Sequence, residues 1–231
     1  MHIDHTSRYI TVGFDYPLRV LSCAPVRGGF RRAISIVNLK TETQEVLENT
    51  PEKLIGSFLM SKELPEDTVG LLTAADMEYA QFIALEESGI GVLAVVTAGI
   101  SNALNITERS DTEFSGEAGN APGTINIIAV TNGCLLDECM VSSMITATEA
   151  KTAALMELGV RSVVSGTQAT GTGTDTVVVV SGNGANIRYA GGHTLYGQLL
   201  GEAVYLGVKR SLQEIASGIG SFESLYTLFN F

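Results

Sequence analysis

Four features of this chain combine residue types and spacings that could do chemistry: His193, Asp175, Glu149, and a loop of alternating threonine and glycine. His193 stands in GGHT, immediately before a long apolar-periodic segment. A neutral imidazole at such a place can take a proton from water, as general-base catalysis requires, and removing it would then cost ~10²-fold or more in turnover. The plainer role is a surface or capping histidine. Asp175 leads from TGTGT into TVVVV, where it could orient a histidine or simply close an Asx turn. Thr170, Thr172 and Thr174 alternate with Gly171 and Gly173. The glycines admit close backbone approach, and N–H groups there could hold a developing oxyanion. No Gly-Lys-Ser/Thr follows, so the stretch is not a Walker phosphate loop. Glu149, in TATEAKT, is either a carboxylate facing a polar cleft or part of a solvated face with Lys151 and Glu157.

Further polar residues follow apolar runs: Asp76 in TAADM, Ser101 and Asn102 in AGISNA, and Asn132 after IIAVT. Residues at strand ends can converge on one rim of a sheet and bind a ligand together with Thr172 and Thr174. Taken singly, each is explained by turn or cap chemistry. His2 and His5 fall in a segment expected to fray, and they receive no role.

The elements that must position these groups are mostly strands. Arg8–Asp15 and Leu18–Cys23 read as two strands around a turn at Tyr16-Pro17, with another strand over Arg32–Leu39. Pro51–Lys62 fits a short helix capped by Thr50, because proline suits the first helical position. Thr68–Thr73 is a short strand. A hairpin turns at Ser88-Gly89, and Val92–Thr97 is its second arm. Thr107–Asn120 is polar and reads as a loop. Ile125–Val130 is a buried strand. Leu135–Leu158 is a helix whose apolar face carries Leu136, Met140, Met144, Ala147, Ala150, Ala154 and Leu158. Asp137 and Glu138 suit its first turn, and Asn132 could cap it. Thr176–Val180 is a further strand. Leu195–Ala216 is the last helix, with Thr194 as cap and Gly218 as terminator. Strands outnumber helices, and the first three are too close for crossover helices. The expected fold is therefore α+β: a layered sandwich of mixed or antiparallel sheet with packed helices, a single domain over 1–231.

Composition narrows the partners. Fourteen Lys and Arg against 25 Asp and Glu leave a charge of −11, with no basic run. Nucleic acid binding needs a basic footprint and is not expected. Cys23, Cys134 and Cys139 have neither a disulfide framework nor metal-site spacing. No membrane span and no signal peptide are read, so a cytoplasmic location is expected. The sequence demands neither cofactor nor metal, and it leaves a homo-oligomer open.

Six segments in order, GLLTAADM, VTAGISNA, GTINIIAVTN, TATEAKTAAL, GTQATGTGTD and YAGGHT, resemble the adenosylcobinamide amidohydrolases from about Gly70 to Val208. That resemblance implies hydrolysis of the amide joining the aminopropanol arm to the corrin ring. Adenosylcobyric acid and aminopropanol would be released for corrinoid salvage into cobalamin synthesis. The corresponding mechanism has water attack the amide, His193 as base, Asp175 as its orienting partner and the Thr/Gly loop as oxyanion donor. Two rivals stand beside it. In one, Thr172 or Thr174 attacks directly, as in αββα aminopeptidases. In the other, the chain binds a corrinoid or tetrapyrrole without turning it over.

Overall fold

The structure is a computed structural model and describes residues 1–108 and 123–217. Its strands are β1 (His2–His5), β2 (Tyr9–Ser22), β3 (Gly29–Lys40), β4 (Val69–Thr73), β5 (Gln81–Glu87), β6 (Ile90–Ala98), β7 (Ala103–Leu104), β8 (Ile125–Thr131), β9 (Cys134–Leu135), β10 (Gly171–Thr172), β11 (Thr176–Ser181) and β12 (Asn186–Ile187). Its helices are α1 (Thr43–Glu48), α2 (Pro51–Ser61), α3 (Asp137–Glu157) and α4 (Leu195–Ser217). Eight strands form one mixed sheet in the order β4-β3-β2-β11-β8-β6-β5, with β1 added to β2. The β3/β4 and β11/β8 pairs are parallel, and the others are antiparallel.

The sheet folds over on itself. Asn38 on β3 bonds Thr97 on β6 and Asn126 on β8, although three strands of the order lie between β3 and β6. Alternation along each strand then sorts the core into three apolar layers. Ile10, Val12, Ile36 and Leu71 meet Val95, Ile128 and Val178 between the two halves of the sheet. On the outer face of the second half, Ala94, Val96, Ile127 and Val179 pack under α3 and α4. On the outer face of the first half, Val37 and Leu39 pack under Ile55 and Leu59 of α2. The result is an α+β sandwich of four layers, helix–sheet–sheet–helix, with the expected class and mixed pairing.

The differences from the sequence reading have local causes. The two strands expected around Tyr16-Pro17 are one strand, β2, with an irregular register between Gly13 and Leu18. Pro17 has no N–H to give the ladder, so it forces a bulge rather than a reversal. The N-terminal segment expected to fray is paired as β1 against β2. His5 Nε2 lies 2.9 Å from the Met77 carbonyl, and the ring sits against Phe82. Other expectations hold. Thr50 caps α2 at the Lys53 N–H. The β5–β6 hairpin turns through Ser88 and Gly89, both at positive φ. The loop expected over Thr107–Asn120 lies, from residue 109, outside the described residues, as does Gly218.

α3 and α4 lie side by side. Tyr196 and Ser143 share a hydroxyl hydrogen bond, and Glu157 takes bonds from Tyr205 and Lys209. Because the contacts advance together along both helices, the two run in the same direction. Burial pushes the Cys139 thiol up to about 11, and it pushes the Tyr196 hydroxyl up as well. Both are packing groups.

Candidate active site

Because β8 and β11 are parallel and β6 is antiparallel to β8, one end of the sandwich collects the starts of β8 and β11 and the C-terminal ends of β3, β4 and β6. A cleft of about 490 Å³ opens there. One wall is polar, with Asn102, Thr124, Thr174, Asp175 and Thr176. The other is apolar, with Pro25, Pro51, Leu72 and Val46 and Leu47 of α1. Beside it, Asn126 Nδ2 donates to Asn38 Oδ1 (2.8 Å) and to the Leu72 carbonyl (2.9 Å), closing the apolar interior with a polar plug.

Asp175 is the centre of the polar wall. Its Oδ2 accepts from Lys151 Nζ and from the Thr172 N–H (3.0 Å). Its Oδ1 accepts from the Thr172 hydroxyl (2.5 Å) and from the Ile125 N–H (3.0 Å). A carboxylate has about four lone-pair sites, so none is left over. The ion pair is buried, with side-chain exposures of 8% for Lys151 and 12% for Asp175. Gly171 makes room for it: a Cβ there would lie 2.6 Å from Asp175 Oδ2 and 2.7 Å from Lys151 Nζ. The glycine of the loop is thus needed by the ion pair behind it. Thr172 is fixed a second way, since β10 pairs it with Ala103 and so brings it next to Asn102. Thr174 shares a short hydroxyl contact with Thr124 across the β8 entrance.

The match that classifies the chain runs over nearly all of it: residues 1–217 fit the adenosylcobinamide amidohydrolase family. The chain belongs to that family, whose members are hydrolases acting on amide bonds. It is 34% identical over 174 residues to the adenosylcobinamide amidohydrolase of Methanosarcina mazei, covering 71% of this chain and 76% of that one. It is 50% identical over 93 residues to an uncharacterised protein of Methanocaldococcus jannaschii, covering 40% of this chain and 35% of that relative's length. A crystal structure of a protein from Pyrococcus horikoshii superposes with a TM-score of 0.45 at 12% identity, over 92% of this chain and 79% of that one.

Within this amidohydrolase fold the residues singled out in the sequence separate. Asp175, Thr174 and Asn102 line the cleft, and Thr172 is bonded to Asp175 beside it. Asp76 and Ser101 stand at the same end of the sandwich, and Asp76 is exposed and paired with Lys40. Asn132 does not join them. It follows β8, whose seven residues span roughly 23 Å, so it lies at the opposite end. There it clamps the β5–β6 hairpin, accepting from the Gly91 N–H and donating to the Gly89 carbonyl, and it does not cap α3. Leu136 occupies that cap position.

His193 is not brought to Asp175. It is exposed in the turn before α4 and makes no hydrogen bond with another described residue. Gly207 of α4 packs on Val96, near the cleft end of β6, and His193 lies fourteen residues earlier, roughly 21 Å along the axis. The turn is held by Thr194, which accepts from the Gly197 N–H, as expected of a cap. Glu149 is exposed on α3 and likewise makes no bond with a described residue.

The group without a role in the sequence reading is Lys151, named there only in the solvated-face alternative for Glu149 and found here buried against Asp175. A signal was present, since Lys151 is four residues after Ala147 and three before Ala154, both wholly buried. Among the described residues no group of three or more His, Cys, Asp or Glu is placed to hold a metal ion, and no helix is long and apolar enough to cross a membrane.

Proposed function

We propose that this chain hydrolyses the aminopropanol amide of adenosylcobinamide, releasing adenosylcobyric acid and aminopropanol, with the strand-end cleft as its site. Family membership supports the reaction class. The observation that carries the choice of site is the chain of contacts Thr172–Asp175–Lys151 bordering the cleft. Of the four donors on Asp175, only the Thr172 hydroxyl carries its proton on a nucleophilic oxygen. The carboxylate has no site left for a water. Direct attack by Thr172 is therefore the favoured route, with Asp175 as base and the Lys151 ammonium stabilising the carboxylate.

Thr172 Oγ bonds to the amide carbon, and its proton passes through Asp175 to the amide nitrogen. The C–N bond then breaks, aminopropanol leaves as an amine, and a corrinoid ester of Thr172 remains. Water cleaves that ester, giving the acid and restoring the hydroxyl. The cleft's two walls suit such a substrate: the apolar side faces a flat macrocycle, and the polar side faces its amides.

The test is incubation with adenosylcobinamide and mass analysis of the products. Adenosylcobyric acid and aminopropanol should form without ATP. Thr172→Ser should retain turnover and Thr172→Val should lose it, and an acyl adduct on the intact chain should map to Thr172. Corrinoid recovered unchanged from folded, coloured protein would replace hydrolysis by binding without turnover. An active Thr172→Val would return the attack to water.

A further inference from the structure

We infer that Asn102 reads the substrate's amide N–H and thereby makes the site prefer the amide over the acid that hydrolysis leaves. This rests on the hydrolase reading above and adds how the site tells substrate from product. Asn102 lines the polar wall. Its Oδ1 is buried and has no hydrogen-bond partner among the described residues. Buried polar groups are nearly always paired, so an orphaned acceptor beside a reactive centre calls for a donor from a ligand.

The backbone is shaped around this side chain. A Cβ on Gly123 would sit 2.5 Å from Asn102 Oδ1, so only glycine lets the amide lie there. Two residues further on, the Ile125 N–H holds Asp175. Two residues of extended chain span about 7 Å, so the orphaned oxygen and the carboxylate flank one stretch of the cleft wall. Ala103, next in sequence, is the ladder partner of Thr172. An amide held by its N–H at Asn102 thus has its carbonyl carbon within reach of Thr172.

The consequence follows from what hydrolysis removes. The substrate amide brings an N–H to the orphaned oxygen. The product carboxylate brings only oxygens, and it meets a carbonyl oxygen there. A site built to accept from an N–H rejects the analogue that lacks it, because its own polar group is again left unpaired. Product release is favoured by the same atom that holds the substrate.

The experiment measures affinity for adenosylcobinamide and for adenosylcobyric acid on proteins carrying Thr172→Val, so that neither ligand turns over. Turnover is assayed separately in the Thr172 background. Asn102→Leu removes the acceptor, and Asn102→Asp keeps one. The expected result is a preference for amide over acid that falls by at least ~5-fold in the Leu variant, the low end of the cost of an unpaired buried polar group. The Asp variant should keep or raise that preference. Thermal melting of Asn102→Leu should match or exceed that of the parent, since no internal bond is lost. A Leu variant with unchanged preference overturns the inference even if hydrolysis is confirmed. An Asp variant that loses preference along with Leu also overturns it, because the side-chain NH₂ would then be the group that matters. If adenosylcobinamide is not hydrolysed by protein with Thr172 in place, the hydrolase reading fails, and the amide-over-acid comparison still decides Asn102's role in binding.

Discussion

Asp175 and His193 stand at the ends of two glycine-bearing motifs that look alike in sequence, yet the fold treats them in opposite ways. Asp175 is held by four donors from three segments and buried against Lys151. His193 is exposed and bonded to no described residue. Gly171 is tight against the Lys151–Asp175 pair, whereas Gly191 and Gly192 have nothing within 4 Å of where a Cβ would go. Threonine, glycine and a titratable side chain in one short stretch therefore form a buried, fully bonded cluster only where a second element closes on them. Here α3 closes on the Asp175 loop through Lys151. The His193 turn closes on itself, with Thr194 and Gln198 bonding back to it.

The comparison can be broken most directly at the ion pair. Asp175→Asn leaves Lys151 buried without its counter-charge, and losing one partner of a buried pair costs about 3–5 kcal/mol. Chemical denaturation should show a loss of that size, together with loss of turnover. Adding Lys151→Met to Asp175→Asn should recover part of the stability, with a coupling of at least ~1 kcal/mol and no return of activity. Additive effects would mean that the two side chains do not depend on one another.

The glycines give a second, smaller contrast. Gly171→Ala must push on Asp175 or Lys151 and should destabilise by about 1–3 kcal/mol, the range for overpacking. Gly192→Ala enters open space and should stay within about ±0.5 kcal/mol. Equal melts for the two would remove the steric reason for the loop glycine.

Much of this architecture was legible in the chain. Alternating β-branched runs, the Thr50-Pro51 cap and the Ser88-Gly89 turn announce their elements because each rests on local backbone chemistry. Asp175, Thr172, Thr174 and Asn102 were found because polar residues at strand ends follow from alternation. What was not legible depends on pairings distant in sequence. Whether Asn132 and Asp175 share a rim is decided by β8 and β11 running parallel, which neither strand states alone. Lys151 received no role because charge suggested a solvated face, while its spacing from Ala147 and Ala154 put it on the buried one. The interaction that outweighs the charge, Asp175, lies 24 residues away.

A smaller effect comes from His5. Burial lowers the pKa of His5 below its ordinary 6.5, so the neutral ring is favoured in the fold. The unfolded chain then binds more protons in the window below pH 6.5, and stability rises with pH there. The contribution is fully present above 6.5 and is lost as pH falls through the folded value. Denaturation midpoints between pH 8 and 5 should show this slope in the parent and a reduced slope in His5→Gln. An unchanged slope in His5→Gln would mean that the burial of His5 does not persist in solution.

The smallest effect expected is that of His193→Ala itself. From sequence alone this substitution should cost ~10²-fold or more in turnover, but the structure sets the opposite expectation. The ring touches no described polar group, the cap on α4 comes from Thr194, and the helix carries His193 away from the cleft. Stability should change by less than about 0.5 kcal/mol, as for exposed positions without partners. Turnover of adenosylcobinamide should stay within a factor of about 2, the same free energy expressed as a rate. The pH profile of kcat/KM should also be unmoved, because a histidine acting as base would contribute its own ionisation to that profile. A ~10²-fold loss with an intact melt would reverse the comparison: chemistry would then belong to the open turn before α4, and the Asp175 knot would be reduced to a clamp joining α3 to the sheet.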